Sequence, residues 1–198
     1  MAKPRVGVLA LQGDFEAHGK ALARAGAQPV EVRTAEELNS VDGLIIPGGE
    51  STTMLKLLNY MELLEPLREF GGNKPIFGTC AGAILLAEQV TNPEQMSLSL
   101  MNIGVQRNAY GRQLDSRIVH IGSSDQQRLP GDIEAVFIRA PIIKWVGGQA
   151  RVLAEYNGDP VLVEQGRHLV ATFHPELTTD PRVHALFVAK IKDSAPTA

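Results

Sequence analysis

The sequence predicts an α/β fold in which a mostly parallel central sheet is flanked by helices and additional antiparallel strands join in the second half. Short apolar runs alternate with amphipathic helical segments through the first half, the pattern of strand–helix–strand units. Those runs lack helical period and read as strands buried on both faces. In the second half, short β-rich segments are separated by Gly, Pro and Asp, as hairpins require.

In chain order, "RVGVLAL" is the first strand, ended by Gln12, Gly13 and Asp14. "FEAHGKALARAGA" sets Phe15, His18, Leu22 and Ala25 on one helical face, with Gly26 as the stop. "QPVEVR" and "DGLIIP" are the second and third strands. Residues 51–70 follow a helical pattern through Met54, Leu55, Leu57 and Leu58 and then Met61, Leu63, Leu64 and Leu67, with Pro66 as the expected break or bend. "KPIFG" is a fourth strand and "AGAILLAEQ" a helix. "NIGVQR", "RIVHIG", "EAVFIRA", "RVLAEY", "PVLVEQ" and "HLVATF" are the later strands, and a last helix covers Pro181 to Lys192.

The 198 residues suit one domain, 1–198, with 193–198 expected to fray as a small polar tail. A net charge of -3 gives no field to draw in nucleic acid or an anionic membrane. The apolar run Val6 to Leu11 is too short for a signal-peptide core or a membrane span. One cysteine excludes an internal disulfide and a cysteine-based zinc site, and fits a reducing, cytoplasmic setting.

Three places fall just past a strand's carboxyl end, where an open α/β sheet binds its ligands. The first is Cys80, flanked by Gly78 and Gly82 between a strand and a helix. This G-x-C-x-G turn is the cysteine form of a nucleophile elbow, with the Ala81 N–H facing a developing oxyanion and a helix N-terminus favouring a thiolate. A lone cysteine is more often a packing residue, and the turn by itself leaves peptidase, hydrolase and transferase open. The second is "PGGES", Pro47 to Ser51, whose glycines turn N–H groups toward a ligand. Its plain reading is a turn with Ser51 as helix N-cap. The third is "ATFHPE", where His174 and Glu176 supply a base and the carboxylate that orients it. His18 reads as a helix-face residue, His120 and His168 fall within strands, and His184 falls in the last helix.

Together and in this order, the glycine loop, the G-x-C-x-G elbow and the terminal H-P-E resemble the class I (triad) glutamine amidotransferases, whose sheet is flavodoxin-like. "LALQGDFEAH", "PGGESTTM", "GTCAGAILLA", "QRNAYGRQ", "FIRAP" and "ATFHPELTTDPRVH" narrow the likeness to the glutaminase-subunit family of pyridoxal 5'-phosphate synthases. Only Ala83, where a larger aliphatic residue is common, departs from that pattern.

The resemblance implies hydrolysis of L-glutamine to glutamate and ammonia, delivered to a (β/α)₈-barrel synthase subunit for pyridoxal 5'-phosphate (vitamin B6) synthesis. It implies low activity without that partner, a dodecamer-based complex, and neither cofactor nor metal. It makes Cys80 the nucleophile, His174 the base and Glu176 the orienting carboxylate. Gly48, Gly49 and Ala81 become the oxyanion hole, and Gly49, Glu50, Ser51, Arg107, Ile138 and Arg139 become glutamine contacts. Arg107 or Arg139 is expected on the α-carboxylate and Glu50 on the α-amino group. The Gly48–Gly49 peptide is the expected two-state element, flipping when the partner docks near Gln12 and Asp14. A cysteine peptidase of similar fold, a glutaminase of another pathway and a non-catalytic binding module are the rival readings.

Overall fold

A computed structural model of the chain describes residues 2–108 and 117–194. Residues 109–113 of "QRNAYGRQ" and the tail from residue 195 lie outside the described residues. The chain opens with β1 (Arg5–Leu9), α1 (Phe15–Arg24), β2 (Gln28–Val32), α2 (Ala35–Asn39) and β3 (Gly43–Ile46). It continues with α3 (Ser51–Tyr60), α4 (Leu64–Asn73), β4 (Ile76–Thr79), α5 (Ala81–Leu86), β5 (Ala87–Thr91) and β6 (Met101–Gln106). After these come β7 (Arg117–Gly122), β8 (Asp132–Phe137), β9 (Ile142–Val146), β10 (Arg151–Tyr156), β11 (Asp159–Gln165) and β12 (His168–Ala171). A 3₁₀ turn at Pro175–Leu177 and α6 (Arg182–Ser194) close it.

Seven strands form the main sheet in the order β10-β11-β12-β4-β3-β1-β2. β2, β1, β3, β4 and β12 pair in parallel, while β10 and β11 add antiparallel strands at the edge. β5, β6 and β9 make a three-stranded sheet, and β7 and β8 a ribbon. Parallel strands are covered on both faces, so consecutive residues feed two cores. Leu44, Ile46, Ile76 and Val170 pack with α3, α4 and α5, while Ile45, Phe77, Leu169 and Ala171 pack with α1 and α6.

Local chemistry sets the helix ends. Asp14 accepts the Ala17 N–H at 3.1 Å to start α1, and Gly26 at φ 84° follows its end. Four sequence expectations are corrected. The residue 51–70 helix is two helices, and the break is at Met61–Leu63, where Glu62 has φ 56°, not at Pro66. Pro66 sits in the first turn of α4, where the N–H it lacks has no helical acceptor anyway. The "AGAILLAEQ" helix stops at Leu86, because Ala87 turns extended and β5 pairs in parallel with β6. α2 and β9 are additional elements, α2 being held by a Thr34–Glu37 capping box. α6 runs to Ser194, so residues 193 and 194 are helical rather than frayed.

Candidate active site

The parallel strands change direction of growth between β1 and β3, the usual place for a ligand crevice. The loops after these strands meet there, with the Gly48 carbonyl against Gly13 where no side chain would fit. A cavity of about 510 Å³ opens at this point, lined among others by Gln12, Gly48, Gly49, Glu50, Ser51, Cys80, Arg107, Ile138, Arg139, His174 and Glu176. Nearly every residue that the sequence singles out for chemistry is therefore on one wall or another of a single pocket. Ala81 is the exception: it is buried just behind Cys80.

Cys80 sits between β4 and α5 at φ 49°, ψ -104°, a conformation that L-residues rarely hold. Its N–H donates to the Ala171 carbonyl at 2.9 Å, and its own carbonyl accepts the Ala83 N–H at 3.1 Å. The turn is tight enough to need both flanking glycines. A Cβ on Gly78 would meet the Gly82 carbonyl carbon at 2.5 Å, and one on Gly82 would strike the Ile46 carbonyl.

His174 follows β12, its backbone N–H donating to the Val136 carbonyl at 2.8 Å. Its Nδ1 donates to Glu176 Oε1 at 2.7 Å. Burial pulls the His174 pKa down, but hydrogen bonds to Cys80 and Glu176 outweigh it and push it up to about 10. The protonated imidazole is thus favoured between the Cys80 sulfur and a buried carboxylate. Gly48 lies against its edge: a Cβ there would be 2.6 Å from His174 Cε1 and 3.3 Å from Cys80 Cβ.

On the opposite wall, Glu50, not Ser51, is the N-cap of α3, accepting the N–H groups of Thr52 at 3.1 Å and Thr53 at 2.7 Å. Burial works against its charge, but these donors hold the carboxyl below its ordinary pKa. Ser51 instead donates its hydroxyl to Gln95 Oε1 at 3.0 Å. Arg107 is buried and donates to Thr52 Oγ1 at 2.8 Å and to Glu50 Oε1 at 3.3 Å. Arg139 is exposed at the pocket with φ 43°, beside the half-buried Ile138. Gln12 Oε1 accepts the Glu50 N–H at 3.2 Å and lies over Gly49, which at φ 143° is a backbone only glycine takes easily.

Three buried groups beneath the site, His18, Thr79 and His184, were not singled out by the sequence for chemistry. The helical spacing of His18 put it on a buried face, but a partner 166 residues away leaves no local signal. Among the described residues, no cluster of three or more His, Cys, Asp or Glu side chains is arranged to hold a metal, and no helix is long and apolar enough to cross a membrane.

A flavodoxin-like sheet with a positive-φ cysteine after its fourth strand and a His–Glu pair after its last parallel strand has the architecture of a class I glutamine amidotransferase. A solved structure described as a glutamine amidotransferase superposes with a TM-score of 0.86 at 44% identity, covering 94% of this chain and 98% of that one. The profile of the SNO glutamine amidotransferase family matches residues 8–193, and the chain belongs to that family. Several relatives carry the name pyridoxal 5'-phosphate synthase subunit PdxT. The one from Solibacter usitatus is 63% identical over 94% of this chain and 99% of its own length. The one from Koribacter versatilis is 54% identical over 96% of each.

Proposed function

We propose that this chain is the glutaminase subunit of a pyridoxal 5'-phosphate synthase. It hydrolyses L-glutamine to L-glutamate and ammonia and passes the ammonia to a (β/α)₈-barrel partner for pyridoxal 5'-phosphate synthesis. The observation that carries the chemistry is the strained Cys80 facing the His174–Glu176 pair, which are 2.7 Å apart, in one pocket.

The Cys80 thiolate attacks the side-chain amide carbon of glutamine, and the carbonyl oxygen becomes an oxyanion. N–H groups of Ala81 and of the Gly48–Gly49 loop receive that charge, each such donor being worth about 2.7–4 kcal/mol of barrier. His174, already protonated, gives its proton to the departing ammonia. A γ-glutamyl thioester remains. His174, now neutral, takes a proton from water, which attacks the thioester carbon and releases glutamate and the thiolate. Glu176 keeps the imidazole in the tautomer and orientation that both transfers need.

Glutamine's charged end lies toward α3, with Gly49, Ser51 and Ile138 shaping its seat and Glu50 meeting the α-amino group. Arg107 is already engaged by Thr52 and Glu50, so it steadies Glu50, and the exposed Arg139 takes the α-carboxylate. The Gly48 carbonyl rests on Gly13, next to the Gln12–Asp14 face where the partner docks. A flip of the Gly48–Gly49 peptide must release that contact, which links docking to the oxyanion hole. The working assembly is a synthase dodecamer decorated by these subunits, in the cytoplasm.

Ammonia release from glutamine, with and without the barrel subunit and with Cys80→Ala as control, tests this reading. Strong stimulation that Cys80→Ala abolishes is expected. Peptide cleavage without glutaminase activity, or stimulation only by a synthase of another pathway, overturns it.

A further inference from the structure

Behind the Glu176 carboxylate lie buried groups that the reaction above does not use. Glu176 gives Oε1 to His174, while its buried Oε2 has no hydrogen bond of normal geometry among the described residues. The group facing Oε2 is His18 Nε2 of α1, 3.4 Å away. The same nitrogen is 3.1 Å from Oγ1 of Thr79, the residue before Cys80. His18 Nδ1 lies 3.0 Å from His184 Nε2 on α6, and His184 Nδ1 has no partner among the described residues. His18, Thr79 and His184 are wholly shielded from solvent.

The proton positions follow from what each arrangement leaves unmet. With its proton on Nδ1, His18 would donate to His184 Nε2. His184 would then carry its own proton on Nδ1, where nothing among the described residues accepts it, and His18 Nε2, accepting the Thr79 hydroxyl, would turn a lone pair and no donor toward the Glu176 carboxylate. With its proton on Nε2, His18 donates toward Thr79 and Glu176, and His184 donates Nε2–H back to His18 Nδ1. The lone pair on His184 Nδ1 then goes unmet, and Glu176 Oε2, though not in a hydrogen bond of normal geometry, faces an N–H donor at 3.4 Å. Since a carboxylate is repelled by a lone pair and attracted by an N–H, the second arrangement is the stable one. Both rings are neutral. Burial, His184 and His174 hold His18 well below its ordinary pKa, and burial with Arg24 holds His184 down at about 3.

We propose that His18 is a positioning residue of the triad: its Nε2–H, fixed by His184, holds Glu176 so that Oε1 stays on His174. This rests on the reading of Cys80, His174 and Glu176 as the triad. Cys80 from the start of α5 and Glu176 from the 3₁₀ turn face His174, and His18 from α1 faces Glu176. His184 from α6 faces His18, and Arg24, at the end of α1, acts on His184 and donates to the Thr178 carbonyl beyond the turn. A neutral donor suits this place. A cation would compete with His174 for the charge of Glu176, and an apolar side chain would leave Oε2 buried with no donor facing it.

The test uses the full chain with His18→Leu, which keeps bulk and removes the donor, and His18→Gln, whose amide N–H reaches the Nε2 position. Ammonia release in the presence of the synthase gives kcat and KM. Alkylation by iodoacetamide across pH, read by the mass of the chain, reports the thiolate at Cys80, the only cysteine. His18→Leu is expected to lower kcat by about 10–100-fold, the range seen when a metal-bound side chain loses its outer hydrogen-bond partner, with KM unchanged. Its alkylation onset moves to higher pH, because a loosened Glu176 supports the imidazolium less, and His18→Gln restores part of both. A parental alkylation profile, or Leu and Gln variants equally impaired, overturns the proposal. If His18→Leu does not fold, His184→Leu replaces it, with a smaller loss in the same direction expected and a parental profile again decisive against it. Ammonia release by Cys80→Ala would instead overturn the triad reading itself.

Discussion

Gly48→Ala separates the chemistry from the fold. In the conformation described, the φ of Gly48 is outside the left-handed region, so alanine meets no backbone strain there and its effect on His174 is steric. The new methyl would arrive 2.6 Å from His174 Cε1, whereas ordinary contact begins at 3.4 Å. The ring must therefore retreat by about 0.8 Å, since atoms cannot interpenetrate at that range. It has little freedom to do so. Its backbone is tied to Val136 at 2.8 Å and its Nδ1 to Glu176 at 2.7 Å, so any retreat misaligns it with Cys80. A misplacement of about 1 Å at a reacting centre costs about 100-fold in rate. One methyl crowded against a side chain costs about 1–3 kcal/mol of stability, a minority of the 5–15 kcal/mol of a typical domain. Gly48→Ala should thus fold, melt somewhat earlier and lose about 100-fold in kcat when assayed with the synthase for ammonia release. A variant with parental kcat, and with His174 unmoved in its crystal structure, would refute the geometry argued here.

Other perturbations have equally definite outcomes. Cys80→Gly is inactive yet more stable than Cys80→Ala by about 1 kcal/mol in thermal or urea unfolding, because φ 49° strains alanine and suits glycine; equal stability would mean that the elbow stores no strain. Cys80→Ala also lowers the His174 pKa from about 10, since the hydrogen bond to Cys80 is its largest upward cause, ahead of that to Glu176, and an unchanged imidazole titration by NMR would contradict this. In the parent, the His174 pKa is raised above its ordinary 6.5. Its stabilising contribution is therefore full below pH 6.5 and is lost as pH rises through about 10, a decline that unfolding at graded pH reads directly. Arg139→Ala raises KM for glutamine by about tenfold or more at similar kcat, as loss of a charge-assisted pair does; an unchanged KM would return the α-carboxylate to Arg107.

How much of this was legible depended on whether a feature is encoded locally. The parallel core was readable because burial on both faces leaves short apolar runs such as Val6 to Leu9 and Gly43 to Ile46 with no helical period. The elbow was readable because the collisions that demand Gly78 and Gly82 arise within a few residues of Cys80. The misplaced boundaries have the opposite character. "AILLAEQ" carries enough apolar residues for a longer helix, and only pairing with Met101–Gln106 makes Ala87–Thr91 a strand. Pro66 looked like a breaker because its place in the turn count was unknown; the break belongs to Glu62, whose left-handed backbone no pattern announces. The five-residue α2 is too short for periodicity, and its Thr34–Glu37 box was the one signal available.

The site divides along the same line, and the division explains why His18 stayed hidden. A residue that meets substrate must stand at a strand end, so Cys80, His174 and the Gly48–Gly49 loop declare themselves by position and by the small or strained residues around them. A residue that works through another side chain has no such constraint. His18 lies mid-helix at a position where any apolar residue satisfies the amphipathic pattern, and histidine is costly there unless its polar atoms are met. That cost is itself the clue. Burying two neutral imidazoles and a threonine hydroxyl around one carboxylate gains nothing over leucine and valine in packing, and each polar atom must find a partner across α1, β4, the 3₁₀ turn and α6. Such an arrangement orients one carboxylate more narrowly than an apolar core would. An enzyme whose base must serve in two successive proton transfers from one position has use for that restriction.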